Sequence, residues 1–331
     1  MSSAVPLPSP AVASVLPPAL LRPGAVALVG EALVDVFPDR RVLGGAPFNV
    51  ARTLGALGLR PLLVARHGDD ELGRAIADEC ARFGVLADGL QCDPTRPTGV
   101  VDVHFEGGTH RFAIRADQAW DALDAGTAAA AVALAQPAWI CFGTLAQRQS
   151  SARSAVRVAL ETSRARRLLD INLRDMPDAM AVAADSLMLA DVLKVNEDEL
   201  LQLLRWFNPP GDVRMPWLPR TMDARIARLM LRFNLQLLVI TRGEQGFAAY
   251  EDSGRCVAMG AASEVAVVDT VGAGDAFTSV LLLGLAAGWP LLATLERAGE
   301  LAAAACTLRG AVAADPAFYR PFLQRWQGAP A

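Results

Sequence analysis

The stretch "DTVGAGDAF", residues 269–277, sets an aspartate, Asp275, directly behind a glycine–alanine–glycine turn. Val265–Val268 ahead of it read as a buried strand, and the apolar run Ala276–Trp289 behind it reads as a helix. Gly272 and Gly274 permit a tight backbone path and close approach of a ligand. A turn entering a helix aims several N–H groups at one point, and the helix dipole reinforces them, so the spot attracts negative charge. An acid placed there has two readings. It is a favourable partner for the dipole. It is also suited to accept a hydroxyl proton while the amides stabilise a phosphoryl group in transfer. Composition alone leaves the two near parity.

Outward from this turn, short β-branched runs alternate with alanine-rich stretches from Ala25 onward. Strands are expected at Val26–Val29, Pro61–Ala65, Trp139–Phe142, Leu168–Ile171, Val192–Val195, Leu237–Ile240 and Gly246–Tyr250. Helices are expected at Asn49–Leu57, Glu71–Phe83, Ser151–Arg164, Glu197–Trp206, Asp223–Phe233, Ala276–Ala287 and Leu291–Leu308. This alternation predicts an α/β three-layer sandwich, a mostly parallel sheet with helices on both faces. Ligands of such sheets bind beyond the carboxyl ends of the strands. One stretch breaks the rhythm: "TGVVDVHFEGGTHRFAIR", 98–115, alternates with period two. It reads as a hairpin turning at Glu106-Gly107-Gly108, with Val101, Val103 and Phe105 sharing a face with Phe112 and Ile114. With 36–43 as a further strand, segments 36–43 and 97–116 form a small β-sheet lid. The other reading is an edge of the main sheet.

The bulk properties narrow the function. Among 331 residues, 53% are hydrophobic, enough for one large core, and the net charge of −4 gives no electrostatic case for nucleic acid or an anionic membrane. The apolar run Val280–Gly288 holds two glycines and is too short to span a bilayer. Five cysteines without a CxxC fit a reducing, cytoplasmic setting better than a disulfide framework or zinc site. Three histidines leave little material for a histidine metal centre or a Ser-His-Asp triad. Residues 1–23, rich in Pro, Ala and Ser, read as a disordered leader before one domain at 24–325. The proline-rich segment 208–220 reads as a surface loop. Neither GxxxxGK[ST] nor GxGxxG occurs, which counts against P-loop kinases and dinucleotide oxidoreductases.

"DTVGAGDAF" together with "GGAPFNVA", 44–51, resembles the two signatures of the ribokinase-like (PfkB family) sugar kinases, in the family's order. The resemblance runs from about Ala25 to beyond Gly310 and implies an ATP-dependent kinase acting on a sugar hydroxyl. Asp275 then corresponds to the catalytic base, and Gly272, Ala273 and Gly274 to the anion hole. "VGEALVDVFPD", 29–39, delivers Asp35, whose family counterpart contacts the sugar with those of Gly44, Gly45 and Asn49. Read without the family, Gly44-Gly45 is only a turn and Asn49 a helix cap. Arg115, in "RFAIR", lies at the lid edge, either facing substrate or solvated.

At the nucleotide end, "DINLR", 170–174, matches a DxNxR pattern of fructokinase-like members, with Asn172 and with Arg174 suited to a phosphate or polar substrate group. In "KVNEDEL", 194–200, Asn196 and Glu199 form the NxxE that in the family organises water around Mg²⁺; alone it reads as an N-cap with a capping-box glutamate. "TRGEQGF", 241–247, resembles the family's TxGxxG and assigns Thr241, Gly243 and Gly246 to the nucleotide. The adenine site is expected to be apolar, near Val271 and Cys306–Gly310. Some relatives bind a monovalent cation near the position of Asp269, which is taken as structural here. The pattern "GEALVDVFP" followed by "GGAPFNVA" looks most like fructokinases. Phe112, Ala113 and Ile114 stand where 2-keto-3-deoxygluconate kinases carry tyrosines, which argues against an acid sugar. Other readings are a ribose or 2-keto-3-deoxygluconate kinase, or a silent sugar-binding protein on the same scaffold. Lid pairing, common among relatives, would make a homodimer.

Overall fold

The computed structural model describes residues 16–106, 109–208 and 221–327; residues 1–15 of the leader and 209–220 of the proline-rich loop lie outside them. Among the described residues thirteen strands run β1 Val26–Val29, β2 Leu33–Val36, β3 Arg41–Gly44, β4 Leu62–Gly68, β5 Leu86–Asp93, β6 Gly99–Glu106, β7 Thr109–Ile114, β8 Trp139–Phe142, β9 Arg166–Asp170, β10 Val192–Asn196, β11 Leu237–Thr241, β12 Phe247–Glu251 and β13 Cys256–Gly260. Nine of them form one sheet in the order β13-β12-β11-β10-β9-β8-β1-β4-β5. From β11 to β5 neighbours are parallel; β12 and β13 close one edge antiparallel.

Strand composition explains the layering. In β1, Val26 and Leu28 enter the core beneath one helical layer, while Ala27 and Val29 enter the core on the other face. A strand buried on both faces must be apolar at every position, as a parallel sheet requires. The Ala46–Ala56, Ala273–Ala287 and Leu291–Ala305 helices cover the first face. The Ser150–Glu161, Glu197–Phe207 and Met222–Phe233 helices cover the second. Strand order reverses at β1: β4 and β5 follow on one side, β8 to β11 on the other. Such a reversal opens a crevice at the carboxyl ends of the strands.

A second, four-stranded sheet has the order β3-β2-β6-β7. Its hairpin has the expected register, Val101 opposite Ile114 and Val103 opposite Phe112. At its base the apolar face is covered by this chain itself, Val101 packing with Leu33, Trp120, Leu145 and Ala146. The sheet leaves the main domain just after β1 and returns into the Ala46–Ala56 helix, so the 44–51 signature is tied to it.

Three expectations are corrected. Val265–Val268 is not a buried strand: Val267 is 61% exposed, and the amides of Val268 and Asp269 donate to Cys306 O instead of to a sheet. The leader does not stay outside the fold through residue 23, because Leu16 and Leu20 are buried in the core, Leu20 in a short 3-10 turn. Asn49 is not a helix cap: the helix begins one turn earlier, with Gly45 capping and Asn49 N donating to Gly45 O. Among the described residues no helix is long and apolar enough to cross a membrane.

Candidate active site

The Ala273–Ala287 helix starts at Gly272, whose φ of +83° suits only glycine; a Cβ there would lie 2.3 Å from the Ala311 backbone. Ala273 N donates to Thr270 O at 3.3 Å and Ala276 N to Gly272 O at 2.8 Å. The Gly274 and Asp275 amides of the first turn are left without a backbone acceptor among the described residues. Asp269 holds the loop from below, accepting from Val271 N and Gly310 N, the structural role expected of it. Lys194 Nζ stands beneath Gly274, where a Cβ would meet it at 3.3 Å.

Asp275 stands at this helix start and accepts a 2.7 Å hydrogen bond from Asn49 Nδ2, across 226 residues of chain. Burial pushes its carboxyl up to about 6. The Asn49 bond opposes that rise, the Asp170 charge adds to it, and Lys194 and Arg174 oppose it.

Residues of the 29–45 segment lie beside this pair. Gly44 is bare because the Asp35 carboxylate lies against it; a Cβ would come 2.5 Å from Asp35 Oδ2. Gly45, at φ +103°, passes the Glu31 carbonyl as closely. Glu31, which no sequence motif singles out, is buried and caps the same turn, its Oε1 accepting from Ala46 N. Burial raises Glu31 to about 7 and Asp35 to about 6, and Arg174 is the cation acting on both. Arg174 itself is exposed on the loop after β9, donating to Leu173 O. Arg115 is engaged elsewhere, in a bidentate pair with Asp102 on the small sheet.

A cavity of about 1020 Å³ opens on the other side of Asp275. Its polar wall carries Asn172, Asn196, Glu199, Thr241, Gly243 and Gly246 with Gly274 and Asp275; Asp35, Gly44, Gly45, Asn49, Arg115 and Arg174 are not in its lining. Its apolar wall includes Val265, Val267, Ala302, Ala303 and Cys306, so the exposed valines face this space, and Val271 does not. Asn172 sits in the left-handed region at φ +44°, a conformation asparagine tolerates better than most residues. The glycines of the 241–247 turn differ. Gly246 is required by the Gly260 carbonyl pressed against it, whereas Gly243 has open space above its Cα.

Asn196 and Glu199 form the capping box: Asn196 Oδ1 accepts from Glu199 N, and Glu199 Oε2 from Asn196 N. Glu199 Oε1 also accepts from Leu173 N, tying the β9 loop to this helix. Beside them lies a buried pair the sequence reading passed over, Lys194 Nζ with Asp170 at 3.1 and 3.3 Å, Asp170 also accepting from Thr278 Oγ1. The available signal was Lys194 within the apolar strand "VLKVN": a lysine there must be buried and paired.

The description "pfkB family carbohydrate kinase" matches residues 28–317. The fructokinase of Klebsiella pneumoniae is 33% identical over 326 residues, covering 91% of this chain and 99% of that protein. A fructokinase from Vibrio alginolyticus is 28% identical over 314 residues, covering 87% and 95%. Fructokinase with bound ATP from Xylella fastidiosa superposes with a TM-score of 0.76 at 23% identity, covering 91% of this chain and 98% of that one. A double mutant of Vibrio cholerae O395 fructokinase, with fructose, ADP and potassium ion bound, gives 0.71 at 25% identity, covering 90% and 97%. With both signatures meeting at the Asn49–Asp275 hydrogen bond, the chain belongs to the pfkB family of carbohydrate kinases, phosphotransferases with an alcohol group as acceptor.

Proposed function

We propose that this kinase transfers the γ-phosphate of ATP to a hydroxyl of a neutral sugar, with fructose as the first candidate. The observation that carries the reading is the position of Asp275. It is hydrogen-bonded to the sugar-end signature on one side and lines the large cavity on the other. ATP occupies that cavity with its adenine against Val265, Val267 and Ala302 and its phosphates near the Gly274 amide and Gly243. The sugar lies among Asp35, Gly44, Gly45 and Asn49. Asp275 takes the hydroxyl proton as the oxygen attacks, and the first-turn amides, Lys194 and Arg174 balance the charge of the transferred group.

Mg²⁺ fits only through water. Among the described residues no three His, Cys, Asp or Glu side chains group around a point, and both Glu199 oxygens already accept backbone N–H groups. Asn196 and Glu199 would therefore order its water shell, and the ion would neutralise phosphate charge when bound. A monovalent cation near Asp269, a cytoplasmic location, a lid-mediated homodimer and, on release from Asp102, substrate contact by Arg115 complete the proposal.

Neutral sugar is favoured by charge. Glu31, Asp35 and Asp275 make the sugar end acidic, with Arg174 as the cation acting on all three. A carboxylate or phosphate on the substrate would bring a like charge to these buried acids. A coupled ADP-release assay with fructose, ribose and 2-keto-3-deoxygluconate, with Mg²⁺ and potassium varied, tests the reading. Turnover with fructose exceeding that with the acid sugar is expected. Preference for the acid sugar would reject the charge argument, and ATP turnover with no sugar accepted would return the silent-binder reading.

A further inference from the structure

Arg52 has no part in the chemistry above, yet it is a buried cation one helical turn beyond Asn49. Its Nη2 donates to Asn49 Oδ1 at 2.6 Å and to Leu43 O at 2.9 Å, and its Nη1 donates to Glu79 Oε1 at 3.3 Å. The guanidinium lies 4.4 Å over the Phe48 ring. The other end of the Asn49 amide donates to Asp275 Oδ2 at 2.7 Å. An arginine can only donate, and an ionised carboxylate can only accept. The amide between them therefore fits one way round. Flipped, it would set its carbonyl against the Asp275 carboxylate and its NH₂ against Arg52. With Oδ2 held, Asp275 Oδ1 is the oxygen left for an acceptor hydroxyl.

We propose that Arg52 is a positioning residue for phosphoryl transfer: it fixes the Asn49 amide, and through it the Asp275 carboxylate. Leu43 lies in the lid strand β3 next to its last residue, Gly44, so the same guanidinium ties the lid to the base. The inference rests on Asp275 being the base. The other charged groups acting on Asp275 are Asp170, Lys194 and Arg174, with Glu31 close by, and Arg52 touches none of them.

The test uses the full chain as R52M, R52Q, R52K, N49A, R52M/N49A and D275N. For each, kcat and KM for fructose are measured between pH 5 and 8, and ADP affinity by calorimetry. R52M loses the donor to Asn49 Oδ1, and R52Q keeps only an uncharged amide donor on a shorter stem, which loses the charge and the fork that also holds Leu43 O and Glu79. Their kcat should fall roughly ten- to a hundredfold, more than KM rises, because the base is no longer held in place. The acid limb of the kcat profile should move to higher pH as the carboxylate loses a fixed donor, with ADP affinity unchanged. R52K keeps a donor without the planar fork and should recover part of kcat. In R52M/N49A, kcat should equal that of N49A, since the two residues act in series. Additive losses, a wild-type acid limb in R52M, or equal kcat in R52Q and R52K would overturn the inference. The last comparison decides the matter if R52M does not fold. Wild-type turnover in D275N would instead remove the base assignment itself, whereas wild-type turnover in the Arg52 variants beside an inactive D275N removes only the role of Arg52.

Discussion

Replacing Asp275 by asparagine should cost catalysis and add stability, and the two effects have one cause. The carboxyl is raised by burial from 3.8 to about 6. In the unfolded chain it ionises near the lower value, so folding at pH 8 forces a charge into a poorly solvated place. A rise of that size corresponds to at most about 3 kcal/mol. The sign follows from the direction: a raised carboxyl pKa contributes stability below the unfolded pKa, and that contribution is lost as pH rises through about 6. Asp275→Asn removes the penalty and can keep the Asn49 hydrogen bond, since an amide oxygen still accepts. The variant should be more stable than the parent at pH 8 by about 1–3 kcal/mol, with the gain shrinking toward pH 5. Turnover should fall by roughly 10²–10⁴, or about 3–5 kcal/mol of transition-state stabilisation, with sugar affinity changing far less. The parent's kcat/KM should decline below about pH 6 as the base becomes protonated. Denaturant melts at the two pH values and the coupled ADP-release assay measure both sides. Turnover within tenfold of the parent, or a variant that is destabilised at pH 8, would refute the assignment of a buried, charged base.

Three further substitutions probe the frame of the site. Lys194→Met leaves Asp170 charged, buried and paired only with Thr278; it should destabilise the fold by about 3–5 kcal/mol, and Asp170→Asn in the same chain should restore much of it. The Lys194 variant should also shift the acid limb of kcat upward, because Lys194 opposes the rise of Asp275. Gly272→Ala meets both a φ of +83° and the Ala311 backbone, and a loss of about 1–3 kcal/mol with strongly reduced turnover is expected; a stable, active variant would contradict the turn geometry. Asn196→Ala removes one half of a capping box and should cost about 1 kcal/mol in a thermal melt while raising the Mg²⁺ concentration needed for half-maximal rate. An unchanged magnesium dependence would leave Asn196 a cap alone.

Much of this was legible in advance because it depends on local chemistry. β1 and β8 begin and end where the β-branched runs do, since a strand buried on both faces writes a continuous apolar signal. The Glu71–Phe83 helix is bounded by an aspartate cap, Asp70, and a left-handed glycine, Gly84, both readable as residues. The hairpin register follows from period-two alternation about Gly107-Gly108. Elements without such marks were missed. The Ala125–Ala135 helix is apolar nearly all round and has no face to detect, and β5, reading "LADGLQCD", pairs at the sheet edge through backbone bonds that need no particular side chains. Val265–Val268 misled for the opposite reason: β-branched residues signal burial, and here Val265 and Val267 border the cavity.

The sequence by itself determined the family and the identity of the acid, because a glycine turn entering a helix and the residues flanking it are consecutive in the chain. It could not show that Asn49 reaches Asp275 while Arg52 holds its other end, nor that Lys194 and Asp170 form a buried pair beside them. The Asn49–Asp275 and Lys194–Asp170 contacts join residues 226 and 24 positions apart, on the first signature helix, the last signature helix and two central strands, and Arg52, only three positions from Asn49, is turned toward it by the Leu43 and Glu79 contacts around it. Hydrogen-bond partners and buried charge are fixed by which surfaces the packed layers press together, and only the folded chain brings those surfaces within reach.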